Sequence, residues 1–235
     1  MTGRTLVLLS SGLDSTVLAA HEAQSSAVLP VYVRVGLAWE PAEWDMLGRL
    51  LAAPVFEGKI ESPRRVEFSM RDVYPPTHWG MLGVPPAYDT PDDDVFLPGR
   101  NLVLLTVAGV VAVATGATRI VMGPLAGSPF PDATPEFFAA IGRALSIGLD
   151  RPLEIATPLV TWNKADVIRR GLELGVPFDL TWSCMSAGST GSTSSGYAVH
   201  CGLCSKCRER RDGFAAAGIT DPTTYANPSP RNSKL

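Results

Sequence analysis

The four cysteines of the chain lie close together near its C-terminal end, and their spacing limits how that part can fold. Cys201, Cys204 and Cys207 form a CxxCxxC run, and Cys184 precedes it. Four thiolates complete the tetrahedral coordination of zinc and leave no open position, as in structural zinc sites. The alternative is four separate thiols packed as small hydrophobic residues. We predict one Zn²⁺ at these cysteines and no disulfide.

An apolar strand, a turn of small residues and a helix follow one another at the N-terminus. Residues 5–9 are apolar, and residues 10–16 read SSGLDST before a helix-compatible segment. Such a turn can direct backbone N–H groups and a helix N-terminus at pyrophosphate, with Asp14 holding Mg²⁺. The Gly-Lys-Ser/Thr ending of a Walker A loop is absent. The alternative is a simple helix cap, because serine and aspartate are common at helix starts.

Short apolar runs alternate with helix-length segments along most of the chain. This alternation predicts an α/β fold with a doubly wound, mainly parallel sheet and a ligand at the carboxyl ends of the strands. Residues 72–94, rich in proline and glycine, are predicted to be an irregular loop. The predicted strands cover residues 5–9, 28–35, 55–60 or nearby, 119–122 and 153–155, and the predicted helices cover residues 14–24, 41–52, 102–115 and 135–149.

The C-terminal part is predicted to be a small zinc-binding appendage. We divide the chain into a nucleotide-binding α/β domain over residues 1–180, a zinc-binding segment over residues 181–226 and a frayed tail over residues 227–235. Within the zinc-binding segment, residues 188–196 are rich in glycine, serine and threonine and are predicted to form a flexible excursion.

Charge and hydropathy exclude two classes of protein. A net charge of −3 and a pI of about 5.6 exclude the overall basic field of a protein that wraps nucleic acid. We assign the one basic cluster, Arg208, Arg210 and Arg211, to balancing the charge of the thiolates rather than to binding RNA. No apolar run is long enough for a membrane span or a signal peptide core. We therefore expect a cytoplasmic protein with no membrane or nucleic-acid partner.

Four segments, taken in order, resemble one known family. Residues 10–15 read SSGLDS, which resembles the SGGxDS pyrophosphate loop of the adenylating PP-loop ATPases. Residues 98–101 read PGRN, residues 157–159 read TPL ahead of Lys164, and residues 201–210 fit CGxCxxCxxR. Together these segments resemble the QueC family of 7-cyano-7-deazaguanine synthases over nearly the whole chain.

The resemblance implies a homodimeric ligase that uses ATP, Mg²⁺ and Zn²⁺. In that family's reaction, 7-carboxy-7-deazaguanine is adenylated, and ammonia converts it to an amide and then, after a second activation, to a nitrile. Asp14, Arg100 and Lys164 are the implied catalytic residues, acting on the phosphates. The nucleotide-binding residues implied are Ser10, Ser11, Gly12, Leu13, Asp14, Ser15, Thr16, Gly99, Arg100, Asn101 and Lys164.

The chain departs from the family pattern at three places. Ser11 replaces one of the two glycines of the loop, which is tolerable only if that residue does not need a positive φ. Residues 36–44 lack most of the usual YGQxHxxE segment. Residues 123–132 keep a Pro-Asp pair but lose an earlier aspartate. Asp132 is our candidate for binding the acceptor, and its alternative role is to cap the helix that starts near residue 135; Asn101 is the expected cap of the preceding helix.

Two other functions are compatible with these departures. One is a QueC-like paralogue that adenylates another carboxylate, a tRNA base or a protein terminus. The other is a non-catalytic nucleotide-binding module, in which Ser11 has weakened the loop. The presence of Asp14, Ser15, Arg100 and Lys164 favours retained ATP chemistry.

Overall fold

In the computed structural model, which describes residues 4–187 and 199–228, one five-stranded sheet forms the centre of the fold. All neighbouring strands are parallel, in the order β3-β2-β1-β4-β5. The predicted excursion at residues 188–196 lies outside the described residues. The strands are β1 Thr5–Leu8, β2 Val28–Arg34, β3 Arg64–Glu67, β4 Arg119–Val121 and β5 Glu154–Ala156.

Helices cover both faces of this sheet. The side chains of β1 alternate between two cores: Leu6 packs with residues of the fourth and fifth helices, and Val7 packs with residues of the first and sixth. Burial on both faces explains why the central strands are continuous apolar runs. The predicted doubly wound α/β fold is confirmed. The helices are α1 Leu13–Glu22, α2 Glu40–Leu51, α3 Trp79–Leu82, α4 Arg100–Thr115, α5 Pro135–Gly148, α6 Lys164–Leu174 and α7 Ser205–Ala217.

The strand predicted over residues 55–60 is wrong. Pro54–Phe56 forms a 3₁₀ turn that buries Phe56, and only Ile60 makes an isolated bridge to β2. The edge strand is β3, Arg64–Glu67, whose side chains are mostly exposed. An apolar run marks a strand buried on both faces, so it is a poor guide to a solvated edge strand.

Helix α4 begins earlier than predicted. Its first residue is Arg100, and its cap is Gly99, whose φ of 79° lies in the left-handed region. Asn101 is therefore inside the first turn, and its prediction as the helix cap is wrong. The change places the Arg100 side chain at the N-terminal end of a sixteen-residue helix.

The C-terminal helix α7 packs on the α/β layer. Its Phe214 is buried in the same core as Val167 and Ile168 of α6. The predicted division of the chain at residue 180 stays a prediction. Within residues 4–187 and 199–228, no helix combines the length and apolar character needed to cross a bilayer.

Candidate functional site

A cavity of about 500 Å³ opens at the carboxyl ends of the central strands. In the order β3-β2-β1-β4-β5, the direction of winding reverses between β1 and β4, and doubly wound folds bind ligands at such a point. The loop after β1 forms one wall, and residues 122–130 after β4 form another. The start of α4, with Arg100, and the start of α6, with Lys164, complete the surroundings.

The loop after β1 is closed by its own serines. Ser15 Oγ donates to the carbonyl of Gly12 at 3.1 Å, and the backbone N–H of Ser10 donates to Ser15 Oγ at 3.3 Å. Helix α1 begins directly after Gly12, at Leu13, so its N-terminus lies at the cavity. This arrangement can receive an anion, as the sequence predicted.

Ser11 adopts a left-handed backbone conformation. Its φ is 59°, in the left-handed region, so the condition that this position does not need a positive φ is not met. The side chain is fully buried, and its Oγ donates to the carbonyl of Glu43 at 2.9 Å. Its own carbonyl accepts from the backbone N–H of Trp182 at 2.8 Å. Ser11 therefore keeps the glycine-like loop shape and ties the loop to α2.

Asp14 and Lys164 meet at the mouth of the loop. Lys164 Nζ lies 2.6 Å from Asp14 Oδ2 and 2.6 Å from Glu209 Oε1, and Glu209 also pairs with Lys206. Burial lowers the pKa of Lys164, but the carboxylates of Asp14 and Glu209 outweigh it and the net pKa is raised. Burial raises the pKa of Glu209, and the two lysines more than reverse this. All four groups line the cavity.

Lys206 and Glu209 are site residues that the sequence analysis missed. Lys206 stands between the ligands Cys204 and Cys207, and Glu209 lies one helical turn further along α7. A signal was available in the sequence. Lys206 lies inside the CxxCxxC run and Glu209 directly follows it, so a metal at these cysteines would fix the backbone that carries both residues.

Arg100 provides a second cationic group on the cavity wall. Its Nε is buried and has no hydrogen-bond partner among the described residues. A buried donor without a partner costs about 1–3 kcal/mol, which a bound anion that accepts from it would recover. Asp14 Oδ1 is likewise buried and without a partner in the described part of the chain, and it is available to a cation.

Asp132 lies in the cavity wall but does not cap α5. Thr134 caps that helix by accepting from the backbone N–H of Phe137 at 3.1 Å, so the alternative role predicted for Asp132 is wrong. The Asp132 carboxylate instead accepts from Asn101, from its backbone N–H at 3.2 Å and its Nδ2 at 3.2 Å. Burial raises the pKa of Asp132.

The four cysteines come together as the sequence predicted. Their sulfur atoms all lie within 4.8 Å of one another, and the Cys207 sulfur is 3.9 Å from Cys201 and 3.5 Å from Cys204. A tetrahedron of sulfurs around zinc has edges of about 3.8 Å. Backbone N–H groups donate to the sulfurs of Cys184 and Cys201, which stabilises thiolates. The four cysteines could therefore bind one metal ion through four thiolates.

The arginine cluster fastens this segment to the rest of the protein. Arg208 donates to the carbonyls of Tyr88 and Thr90, each at 2.9 Å, in the loop over residues 72–94. Arg210 is buried and donates to Thr181 Oγ1 at 2.7 Å. Arg208 and Arg210 therefore bind groups of the protein itself and do not form an open basic surface.

The cavities contain most, but not all, of the predicted nucleotide-binding residues. Ser11, Thr16 and Gly99 line neither the large cavity nor a smaller one of about 150 Å³ beside it. Ser11 and Thr16 are fully buried behind the loop. The predicted residues that line one or both cavities are Ser10, Gly12, Leu13, Asp14, Ser15, Arg100, Asn101 and Lys164.

The parallel sheet and the serine-rich loop after its first strand define an α/β protein with a PP-loop-type fold. A comparable fold occurs in a 4-thiouridine synthetase solved in complex with RNA and bound ATP. The two structures agree with a TM-score of 0.50 at 14% sequence identity, over 92% of this chain and 51% of that one.

The sequence comparisons are more specific. The family model described as "Queuosine biosynthesis protein QueC" matches residues 86–218. The 7-cyano-7-deazaguanine synthase of Methanothrix thermoacetophila is 33% identical over 95% of this chain and 99% of its own length. That of Azoarcus sp. is 36% identical over 94% and 96%. This protein belongs to the QueC family, and the resemblance stated from its motifs is confirmed.

Proposed function

We propose that the protein is an ATP-dependent ligase that adenylates 7-carboxy-7-deazaguanine and converts its carboxylate with ammonia to an amide and then to a nitrile. The observation that carries the proposal is the meeting of Asp14 and Lys164 with Arg100 around one cavity at the serine-rich loop. Family membership supports the reaction, because relatives along the full chain are named 7-cyano-7-deazaguanine synthases.

The loop over residues 10–16 is the proposed pyrophosphate site. Its backbone N–H groups and the N-terminus of α1 supply hydrogen-bond donors for phosphate oxygens. Lys164, Lys206 and Arg100 add positive charge, which stabilises the charge that develops on the phosphates during transfer. Asp14, with its unpartnered Oδ1, would hold Mg²⁺, which supplies charge neutralisation at the phosphates when bound.

The remaining part of the cavity is the proposed acceptor site. A deazaguanine has N–H donors on its pyrimidine edge that need acceptors when buried. Asp132 lies in the wall there, and residues 123–130 line the same wall. Phe130 stacks on Phe96 with their ring centroids 5.5 Å apart, which gives this wall an aromatic surface.

Zn²⁺ is the proposed resident metal of the four cysteines, with a structural role. Saturation by four thiolates leaves no position for substrate. The ion would fix the first turn of α7, which begins at Ser205 and includes Cys207. Because Lys206 lies on that turn, Glu209 follows it one turn later and both line the cavity, the metal would also hold these two side chains in place.

A second candidate is a paralogue that adenylates a different acceptor. The wall over residues 123–130 carries no ionisable side chain, and Asp132 is already bonded to Asn101. The wall therefore offers few side-chain acceptors to a guanine edge. Other carboxylates, a tRNA base and a protein terminus are the substrates to compare.

The test is incubation with ATP, Mg²⁺, ammonia and 7-carboxy-7-deazaguanine, with mass analysis of all products. We expect the nitrile, AMP and pyrophosphate, because adenylation cleaves ATP between the α and β phosphates. Asp14→Asn should lower turnover about a hundredfold or more without unfolding the protein. Asp45→Asn, at an exposed position outside the cavity, is the matched control.

Two results would contradict the proposal in different ways. ADP and phosphate as the only nucleotide products would exclude adenylation altogether. Formation of AMP and pyrophosphate with another acceptor, but not with the carboxy-deazaguanine, would support the paralogue instead.

A further inference from the structure

Glu43 is a buried carboxylate on the wall of the cavity. It lies in the first turn of α2 and is 7% exposed. It borders both the large cavity and the smaller one, as do Ser10, Asp14 and Arg100. The Glu43 carboxylate therefore shares the space that, under the proposed function, receives the phosphates and the reacting carboxyl group.

Two contacts hold Glu43 in this position. Tyr32, on β2, places its hydroxyl 3.0 Å from Glu43 Oε2 and donates to it. Ser11 Oγ donates to the Glu43 carbonyl at 2.9 Å, which joins the first turn of α2 to the pyrophosphate loop. Tyr32 thus orients the carboxylate from the sheet and Ser11 fixes the backbone of Glu43 from the loop, so the residue is preorganised relative to the nucleotide site.

The surroundings make this carboxylate more basic than an exposed glutamate. The net pKa of Glu43 is raised to about 8, chiefly by burial. The positive charge of Arg100 lowers the pKa, and the carboxylate of Glu40 raises it. Tyr32 and Trp39 lower it by hydrogen bonding. Catalytic acids and bases work best with a pKa near the working pH.

Glu40, on the same helix, is a buried carboxylate with a structural role and provides a comparison for Glu43. It is 3% exposed, and its two oxygens accept from the backbone N–H groups of Val35 at 2.7 Å and Gly36 at 2.9 Å. It borders neither cavity. Glu40 therefore shapes the turn after β2, whereas Glu43 faces the cavities.

We propose that Glu43 is the catalytic base of the nitrogen chemistry, taking protons from the nitrogen as the amide forms and again as the nitrile forms. This inference rests on the proposed function.

The proton balance requires such a group twice. When ammonia attacks the adenylated carboxyl, a C–N bond forms, the nitrogen gives a proton to the base, and AMP leaves with the electron pair of the broken C–O bond. After the amide oxygen has displaced pyrophosphate from a second ATP, the nitrogen must lose both of its remaining protons. The C–O bond then breaks, AMP leaves, and the C≡N bond is complete. Between transfers, the base returns its proton to water.

The test uses the amide, 7-carboxamido-7-deazaguanine, as the substrate, so that the supply of ammonia does not enter. Two rates are measured with ATP: nitrile formation, and the amide-dependent exchange of labelled pyrophosphate into ATP, which reports adenylation alone. For Glu43→Gln we expect nitrile formation to fall by about 10²–10⁴-fold. We expect the exchange rate to stay within about threefold of the wild type, since adenylation needs no proton acceptor on nitrogen.

Glu40→Gln is the matched control, because it makes the same change to an equally buried carboxylate outside the cavities. It should lower thermal stability and leave the ratio of the two rates unchanged. Glu43→Asp keeps the carboxylate and should recover part of the lost nitrile formation. Retained exchange in Glu43→Gln also demonstrates that this variant is folded.

The pH dependence provides an independent readout. Nitrile formation by the wild type should increase with pH through a midpoint near 8, and the residual rate of Glu43→Gln should lack this step.

Three outcomes would overturn the inference. Equal loss of both rates in Glu43→Gln would make Glu43 a binding or structural residue. Unchanged nitrile formation would remove it from the reaction. A wild-type protein that forms no nitrile from either the acid or the amide would overturn the proposed function, and the inference with it.

Discussion

The conformation of Ser11 leads to a stability prediction with an unusual sign. Replacing a buried serine by glycine normally destabilises a protein, yet here we expect Ser11→Gly to be close to neutral and Ser11→Ala to be harmful. Both changes remove the hydrogen bond from Ser11 Oγ to the Glu43 carbonyl, a loss of about 1 kcal/mol. Only glycine relieves the left-handed backbone, at a φ of 59°, which costs an L-residue about 1–2 kcal/mol.

The magnitudes follow from these two effects. For Ser11→Ala, the hydrogen bond is lost and the strain remains, so the free energy of unfolding should fall by about 1 kcal/mol. For Ser11→Gly, relief of strain offsets the lost hydrogen bond and the greater freedom of glycine in the unfolded chain, leaving a change within about 0.5 kcal/mol. In a chain of this length, the difference between the two variants corresponds to about 2–4 °C in Tm.

The assay is urea unfolding followed in parallel by tryptophan fluorescence and circular dichroism, since coincident transitions justify a two-state free energy. Asp150→Gly calibrates the strain. Asp150 is the other non-glycine residue with a positive φ among the described residues, at 50°, and it is exposed. We expect this change to stabilise the protein by about 0.5–1 kcal/mol. If Ser11→Ala is as stable as Ser11→Gly, the strain at Ser11 is not real and the reasoning fails.

Three further predictions concern the metal site, Asp132 and Glu43. Protein purified without added zinc should contain about one zinc ion per chain. Removal of the metal by a chelator should lower Tm by several degrees, because the metal is part of the fold. Metal analysis that finds no bound metal would contradict this prediction. Asp132→Asn should lower the free energy of unfolding by about 1–3 kcal/mol through the lost bond to Asn101, and should weaken acceptor use about ten- to a hundredfold in steady-state kinetics, with ATP binding nearly unchanged. Because the folded pKa of Glu43, about 8, lies above its ordinary value of 4.5, its contribution to stability is present at low pH and is lost between those values. The Tm of the wild type should therefore fall relative to that of Glu43→Gln as pH rises from about 4.5 to 8, and parallel curves would exclude a buried, uncharged Glu43.

Local sequence patterns were enough to predict the α/β fold of this protein and two of its sites. The alternation of apolar runs and helical segments predicted the parallel sheet, because strands covered on both faces must be apolar along their length. The small-residue loop before α1 and the CxxCxxC run were recognisable because each forms its site from neighbouring residues. The edge strand β3 was not predicted, because a strand with exposed side chains has no apolar run in its sequence.

The partners of the charged site residues were decided only by the tertiary structure. Lys164 and Asp14 are far apart in the chain, and nothing near either residue specifies that they meet at 2.6 Å.

Glu209 and Lys206 enter the cavity because α7 packs against α6, and Asp132 serves α4 rather than the helix that follows it. Glu43 is the clearest case. It lies three residues after Glu40 on the same helix, and burial in the folded protein raises its pKa even though Arg100 and the hydrogen bond from Tyr32 lower it. Pairing and desolvation depend on distances across the fold, which a single sequence does not contain.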